Sequence, residues 1–414
     1  MNHGESKNRA GVNALLIGGV CVATYLISYY MRNILSVVTP ALIAGPGFTE
    51  AWVARLSSVY MIVYAAGQLI NGFLGDYLRP KYMVLAGLSL GGAALSLFPL
   101  VPTGFPQLFC FGLLGFGFSM LRGPLVKTIS ENTAPEHARI CCAFLSFSCY
   151  FGPLIASLLA LFLDPFPLFS VSGVAAFAVA AGSFLLLSLL ERRGILRPLA
   201  REEKKTGKER GRLSGILAVF LIPRFFGFLF IGVIAEIVGT SVAFWVPTYL
   251  NQALSFSEKT AGLIFSGMSV FRSLAPILCI FLYHLFGDND VKLMRVMFAA
   301  SAASFLFTLL LPGRLVRVFF MALGLITNSC AASALWTIYI PGLAKSGKVS
   351  GANGVLDCAG YLGASGANLV FAAVKEAADW TGLVGLWSAV AFLGVLITFF
   401  VGANRKEENA EVTG

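Results

Sequence analysis

Four ionisable residues, Arg32, Glu236, Arg272 and Asp357, stand inside long apolar runs. A charge held in hydrocarbon is costly, so each should face a partner or a watery path. Arg32 follows Tyr25 and Tyr29 and precedes Ser36, a spacing that stacks these polar groups on one side of a helix. A guanidinium in such a place can hold a phosphate or carboxylate through two parallel hydrogen bonds. A carboxyl group in a low-dielectric setting either takes a proton or pairs with a cation. Glu236 and Asp357 are therefore candidates to carry a coupling proton or to form charge pairs, Glu236 with Arg272 among them.

The elements that must position these residues follow from composition. Of 414 residues, 57% are apolar and 12% charged, half the charge of an ordinary soluble domain. Apolar stretches of spanning length recur along nearly the whole chain, which excludes a soluble enzyme. The pattern predicts an all-α membrane protein of twelve transmembrane helices. Six, at about 13–37, 52–74, 82–101, 105–126, 139–163 and 167–190, form a first bundle. Six more, at about 225–250, 259–284, 291–311, 315–340, 350–373 and 380–402, form a second. The domains are then 1–190, a cytoplasmic linker at 191–213, and 214–414, with a short surface helix expected at 214–224. The first apolar stretch is too long for a signal peptide and reads as the first span.

Placing both termini in the cytoplasm puts 21 of the 30 lysines and arginines in cytoplasmic segments, nine of them in the linker, and four in outer loops. That asymmetry is the positive-inside pattern of an integral multi-pass protein, with the plasma (inner) membrane as the expected location. It also absorbs the net charge of +10, and no basic patch interleaved with aromatics calls for nucleic acid. The eight cysteines show no CxxC pairing and read as small buried hydrophobes. Three scattered histidines offer no metal site. No acid-base or nucleophile constellation has recognisable spacing, so neither an enzyme nor a cofactor is expected. Glycine runs at GLSLGGAAL and GASGANL allow close helix contact or bending. The five tryptophans, Trp52, Trp245, Trp336, Trp380 and Trp387, are expected near the membrane interfaces.

GFLGDYLRPK at 72–81 resembles the loop between helices two and three of the major facilitator superfamily, with Gly72, Asp76 and Lys81 matching. The resemblance implies a gating role for Asp76 and Lys81, which would stabilise one access state. YYMRN at 29–33 resembles the helix-one signature of the organophosphate:inorganic phosphate antiporters, where a tyrosine-rich face precedes a substrate-binding arginine, here Arg32. RGPLVKTISENTAPEHAR at 122–139, FWVPTYL at 244–250 and AGYLGASGANL at 359–369 are similar to further segments of that family. Its phosphate-ester exchangers carry a second arginine in helix seven where this chain has Gly239, and Cys149, Tyr150, Phe151 and Gly152 replace an asparagine-glycine signature in helix five.

Residues and resemblance together imply a secondary transporter that moves a small organic anion, phosphorylated or carboxylated, by alternating access about a site lined by helices one, four, seven and ten. Arg32, Tyr25 and Tyr29 would bind substrate, while Arg122 and Lys127 would guide anions or latch the gate. Protons or inorganic phosphate would be the coupling ion, and a monomer in the lipid bilayer the working form. Two alternatives stay open: transport of a zwitterionic or neutral solute or drug, and a nontransporting sensor on the same scaffold.

Overall fold

The computed structural model describes residues 3–45, 47–196 and 218–413. Residues 197–213 of the expected linker and the first four of the expected surface helix at 214–224 lie outside them. The described chain is helical throughout. Among the described residues, ten helices are long and apolar enough to cross a membrane, or eleven when one bent pair counts as a single span. They are α1 (Ala10–Thr39), α2 (Ala51–Tyr77), α3 (Pro80–Leu100), α4 (Phe105–Asn132), α5 (Pro135–Leu159) and α6 (Pro165–Arg192). After these come α7 (Phe225–Gln252), α8 (Lys259–Ser273 and Ala275–Leu285, bent by 45°), α9 (Asp290–Leu310), α10 (Arg314–Ser346) and α11 (Val349–Gly402). The 54-residue α11 covers two of the expected spans, and its dihedrals leave the helical region at Ala378 and Asp379.

Local chemistry sets the boundaries. Pro80, Pro135 and Pro165 open α3, α5 and α6, where a missing N–H costs nothing. Thr49, Ser257 and Asn289 cap the helices that follow them through side-chain oxygens. The break in α8 falls just before Pro276, whose ring clashes with the carbonyl four residues back, that of Arg272.

The chain divides into two compact units, Met1–Val219 with Ile340–Val355, and Phe220–Tyr339 with Leu356–Gly414. In the first, α1 lies along α5, α2 along α4, and α3 along both α4 and α6. Small residues permit these approaches: a methyl on Gly87 would come within 2.5 Å of the Gly117 carbonyl oxygen, and one on Gly117 within 2.7 Å of the Gly87 oxygen. In the second unit, α9 and α7 pack on α10. Its core centres on Trp387, fully buried with Tyr249, Phe305 and Phe371 each 6.3 Å away between ring centres. That tryptophan fills the core of this unit.

Candidate functional site

The first unit holds Arg32 at a helix break. The α-helical run ends at Arg32 and resumes at Ile34, with Asn33 near φ −96°, ψ 0° between them. The Asn33 side chain closes the gap by donating to the Tyr29 carbonyl at 2.7 Å. The guanidinium lies over three tyrosine rings, 5.2 Å from the centre of Tyr29, 5.6 Å from Tyr60 and 4.4 Å from Tyr64. Its Nη1 also donates to the Tyr29 hydroxyl at 3.3 Å. Tyr25, buried, meets Tyr29 edge to face at 5.1 Å. Cation–π contacts of this kind contribute about 0.5–2 kcal/mol each, more as water is excluded. Arg32 borders a cavity of about 570 Å³ whose wall includes Asn33, Ser36, Thr39, Ser57 and Tyr60. That volume suits a small metabolite.

The sequence reading named Tyr25 and Tyr29 but missed Tyr60 and Tyr64. Their signal was legible: Tyr60, Tyr64, Gln68 and Asn71 recur at helical spacing along α2. Gln68 donates to the Tyr64 hydroxyl at 2.6 Å, fixing that ring, and Tyr60 stacks on Tyr64 at 5.7 Å. Gly152 of α5 lies against Tyr29 and Tyr30; a methyl there would come within 2.6 Å of the Tyr29 Cβ and 2.7 Å of the backbone of both residues.

Lys127 stands apart from this cavity. It is buried and donates to the carbonyls of Gly75 at 3.2 Å and Asp76 at 2.6 Å, capping the end of α2. The Asp76 carboxylate accepts from the backbone N–H groups of Ser350 and Gly351, both at 3.0 Å, at the start of α11. Lys81 pairs with Glu191 instead of with Asp76. These groups surround a second cavity of about 1070 Å³ within the same unit, which Lys348 also borders. Arg122 opens the second segment of α4, just after its break at Met120 and Leu121.

In the second unit Arg272, in the last turn before the α8 bend, is buried. Its Nε donates to Ser329 Oγ at 3.1 Å and its Nη2 to the Gly239 carbonyl at 2.9 Å. Gly239 lies in a π-helical stretch of α7, Ile237–Val242. Such widened turns recur at functional sites, and α10 has another at Leu335–Tyr339. Asn328, fully buried, donates to the Ala235 carbonyl at 3.0 Å. Glu236 accepts the Thr240 hydroxyl at 2.5 Å within its own helix, and the Arg272 bonds to Gly239 and Ser329 tie α8 to α7 and α10. Asp357 is buried on α11, and Gly360 one turn on lies against the Glu236 side chain. Among the described residues no group of three or more histidine, cysteine or acidic side chains is arranged to hold a metal.

Residues 21–367 match the Major Facilitator Superfamily. The chain belongs to that family. Facilitator-superfamily proteins of known structure share the fold over nearly the full chain. A bacterial homologue of the iron transporter ferroportin, in an outward-facing state, superposes with a TM-score of 0.74 at 14% identity, covering 94% of this chain and 99% of that one. A variant of the E. coli fucose:proton symporter FucP gives 0.71 at 15% identity, covering 94% and 98%. Among curated proteins, a segment of 79 residues is 29% identical to a "probable hexose phosphate transport protein" of Chlamydia muridarum. That segment is 19% of this chain and spans only 17% of the relative's length. The protein is thus a multi-pass membrane transporter of the facilitator fold.

Proposed function

We propose that this facilitator-superfamily protein moves a small organic anion, phosphorylated or carboxylated, by alternating access. The observation that carries the reading is Arg32 at a helix break, stacked on Tyr29, Tyr60 and Tyr64 beside a cavity of about 570 Å³. A guanidinium donates through two parallel N–H groups, which suits a carboxylate or phosphate oxyanion. The short likeness to the chlamydial hexose phosphate transport protein and the resemblance of YYMRN to the organophosphate:inorganic phosphate antiporters support the same class.

The finer organisation belongs to this proposal. Counting α11 as two spans across Ala378 and Asp379 brings the total to twelve, in bundles 1–190 and 214–414 joined by a cytoplasmic linker at 191–213, with both termini cytoplasmic in the plasma membrane. Asp76 and Lys81 serve gating, supported by the bonds Asp76 makes to the start of α11. Lys127, held on the end of α2, acts in the same latch, and Arg122 guides anions. Glu236 and Asp357 carry coupling protons if uptake is proton-driven, while inorganic phosphate is the counter-substrate if it is exchange.

Uptake into proteoliposomes tests the class. Vesicles loaded with inorganic phosphate should take up a labelled hexose 6-phosphate or a small carboxylate in preference to the neutral hexose. Equal uptake of the neutral sugar would replace this reading with a neutral-solute transporter.

A further inference from the structure

The cavity of about 1070 Å³ in the first unit lies at helix ends, where the turn from α2 to α3 and the turn from α10 to α11 both contribute to its wall. Five cations border it, Arg79, Lys81, Lys127, Lys345 and Lys348, against three carboxylates, Asp76, Glu131 and Glu191. Several of these charges are already engaged. Lys81 pairs with Glu191, Lys127 donates to two carbonyls, and Asp76 accepts two backbone N–H groups.

Three cations remain. Among the described residues Arg79 and Lys345 take part in no hydrogen bond or ion pair, and both are exposed. Lys348, half-buried, has only a tyrosine for company, its ammonium 3.5 Å from the Tyr77 hydroxyl and 5.2 Å from the ring centre. A surplus of lysine and arginine at one end of a helical bundle is what orients it in a membrane. These three do more than that, because two turns far apart in sequence bring them to one concave space, where walls of low dielectric concentrate their field. The wall as a whole holds two more cations than carboxylates. A phosphate monoester carries about −1.5 to −2 at pH 7 and offers three acceptor oxygens, which matches both the surplus charge and the donors.

We propose that this cavity binds a phosphate-bearing anion, held by Arg79 from one turn and by Lys345 and Lys348 from the other, at a site separate from the Arg32 cavity. A soluble phosphate ester and the headgroup of an anionic lipid share this chemistry. Bound there, the anion bridges the same two turns that Asp76 joins, and so favours the state in which Asp76 caps the start of α11. The site is independent of what the Arg32 cavity carries.

The test uses the full chain carrying Arg32→Gln, which removes the proposed transport anchor, and reads its melting temperature at constant ionic strength. One arm titrates inorganic phosphate and a hexose 6-phosphate in detergent. The other compares nanodiscs of phosphatidylcholine with nanodiscs that also contain phosphatidylglycerol. The chain should melt higher with phosphate, with the anionic lipid, or with both, and the arm that responds names the source. Adding Arg79→Gln or Lys345→Gln should leave melting without anion within a few degrees. Either one should weaken phosphate binding by at least about tenfold, or abolish the lipid-dependent shift, since a bridging ligand needs both turns. If one of these variants does not fold, Lys348→Gln is held to the same loss. Lys292→Gln removes an exposed cation at the start of α9, outside the cavity, and should leave the response intact; an equal loss there would show diffuse charge and overturn the site. Silence in both arms would overturn it too, as would a response that survives Arg79→Gln and Lys345→Gln together. A wild type that binds phosphate no better than Arg32→Gln would overturn the Arg32 anchor and leave this site standing.

Discussion

Asp76 and Ser350 lie 274 positions apart in sequence, yet the carboxylate of one accepts the backbone N–H of the other at 3.0 Å. Its second oxygen takes the N–H of Gly351, so one side chain satisfies two orphan donors at a helix start and sets a negative charge on its positive end. Glycines let the segments meet: Gly72 and Gly354 lie against each other, and Ser350 sits against Gly75 and Gly123. Replacing Asp76 by Asn leaves one acceptor oxygen and no charge. Asp76→Asn is expected to lower stability by about 1–2 kcal/mol, read from thermal melting in detergent. Unchanged melting and unchanged transport would remove Asp76 from the latch.

Lys127 separates a structural cation from a substrate contact. Its ammonium is spent on two carbonyls at the end of α2. Lys127→Met is expected to cost about 1–3 kcal/mol by leaving those carbonyls buried without their donor. Substrate affinity measured in the folded fraction should stay within about twofold of wild type, and a selective loss of affinity with normal melting would restore Lys127 to the binding site.

Gly152 fixes where Tyr29 stands. A methyl at this position overlaps the Tyr29 and Tyr30 backbone and must push α5 away from α1. Gly152→Ala is expected to destabilise by about 1–3 kcal/mol, as overpacking commonly does, and to weaken substrate binding by shifting the ring under Arg32. Equal melting temperatures for the variant and wild type would show that the two helices are not held at this distance.

Glu236 and Asp357, the two carboxylates within the spans of the second unit, allow coupling to be tested apart from transport. If uptake is proton-driven, Glu236→Gln or Asp357→Asn should abolish accumulation against a gradient while exchange of internal for external substrate continues. Accumulation at the wild-type level in both variants would assign the pair to structure alone.

Much of this is legible in the sequence. Apolar spans announce themselves by length and composition, and an arginine among tyrosines on one helix face marks a pocket because hydrocarbon tolerates so few charges. Tyr60 and Tyr64 escaped because aromatic residues are common in every span, and only proximity to Arg32 separates them from packing. The partners of Lys81 and Asp76 escaped for a different reason: Glu191 and Ser350 are 110 and 274 positions away, and loop charges carry no signature of whom they meet. Arg272 was visible as a misplaced charge, but its direction was not. Arg272 follows the bend before Pro276 and donates to the Gly239 carbonyl in the widened turn at Ile237–Val242, a contact 33 positions away that its sequence context does not announce.

The central claim is that Arg32 anchors an anion. Its most direct measurement compares uptake of a labelled hexose 6-phosphate by phosphate-loaded proteoliposomes containing wild type, Arg32→Lys or Arg32→Gln, each reconstituted at equal amounts of folded protein. Lys keeps the charge and loses the two-pronged geometry, whereas Gln loses both. The expected result is uptake reduced by at least about tenfold in Arg32→Lys and abolished in Arg32→Gln, since losing a charge-assisted pair costs about 2–5 kcal/mol. Wild-type uptake by Arg32→Gln would contradict the claim.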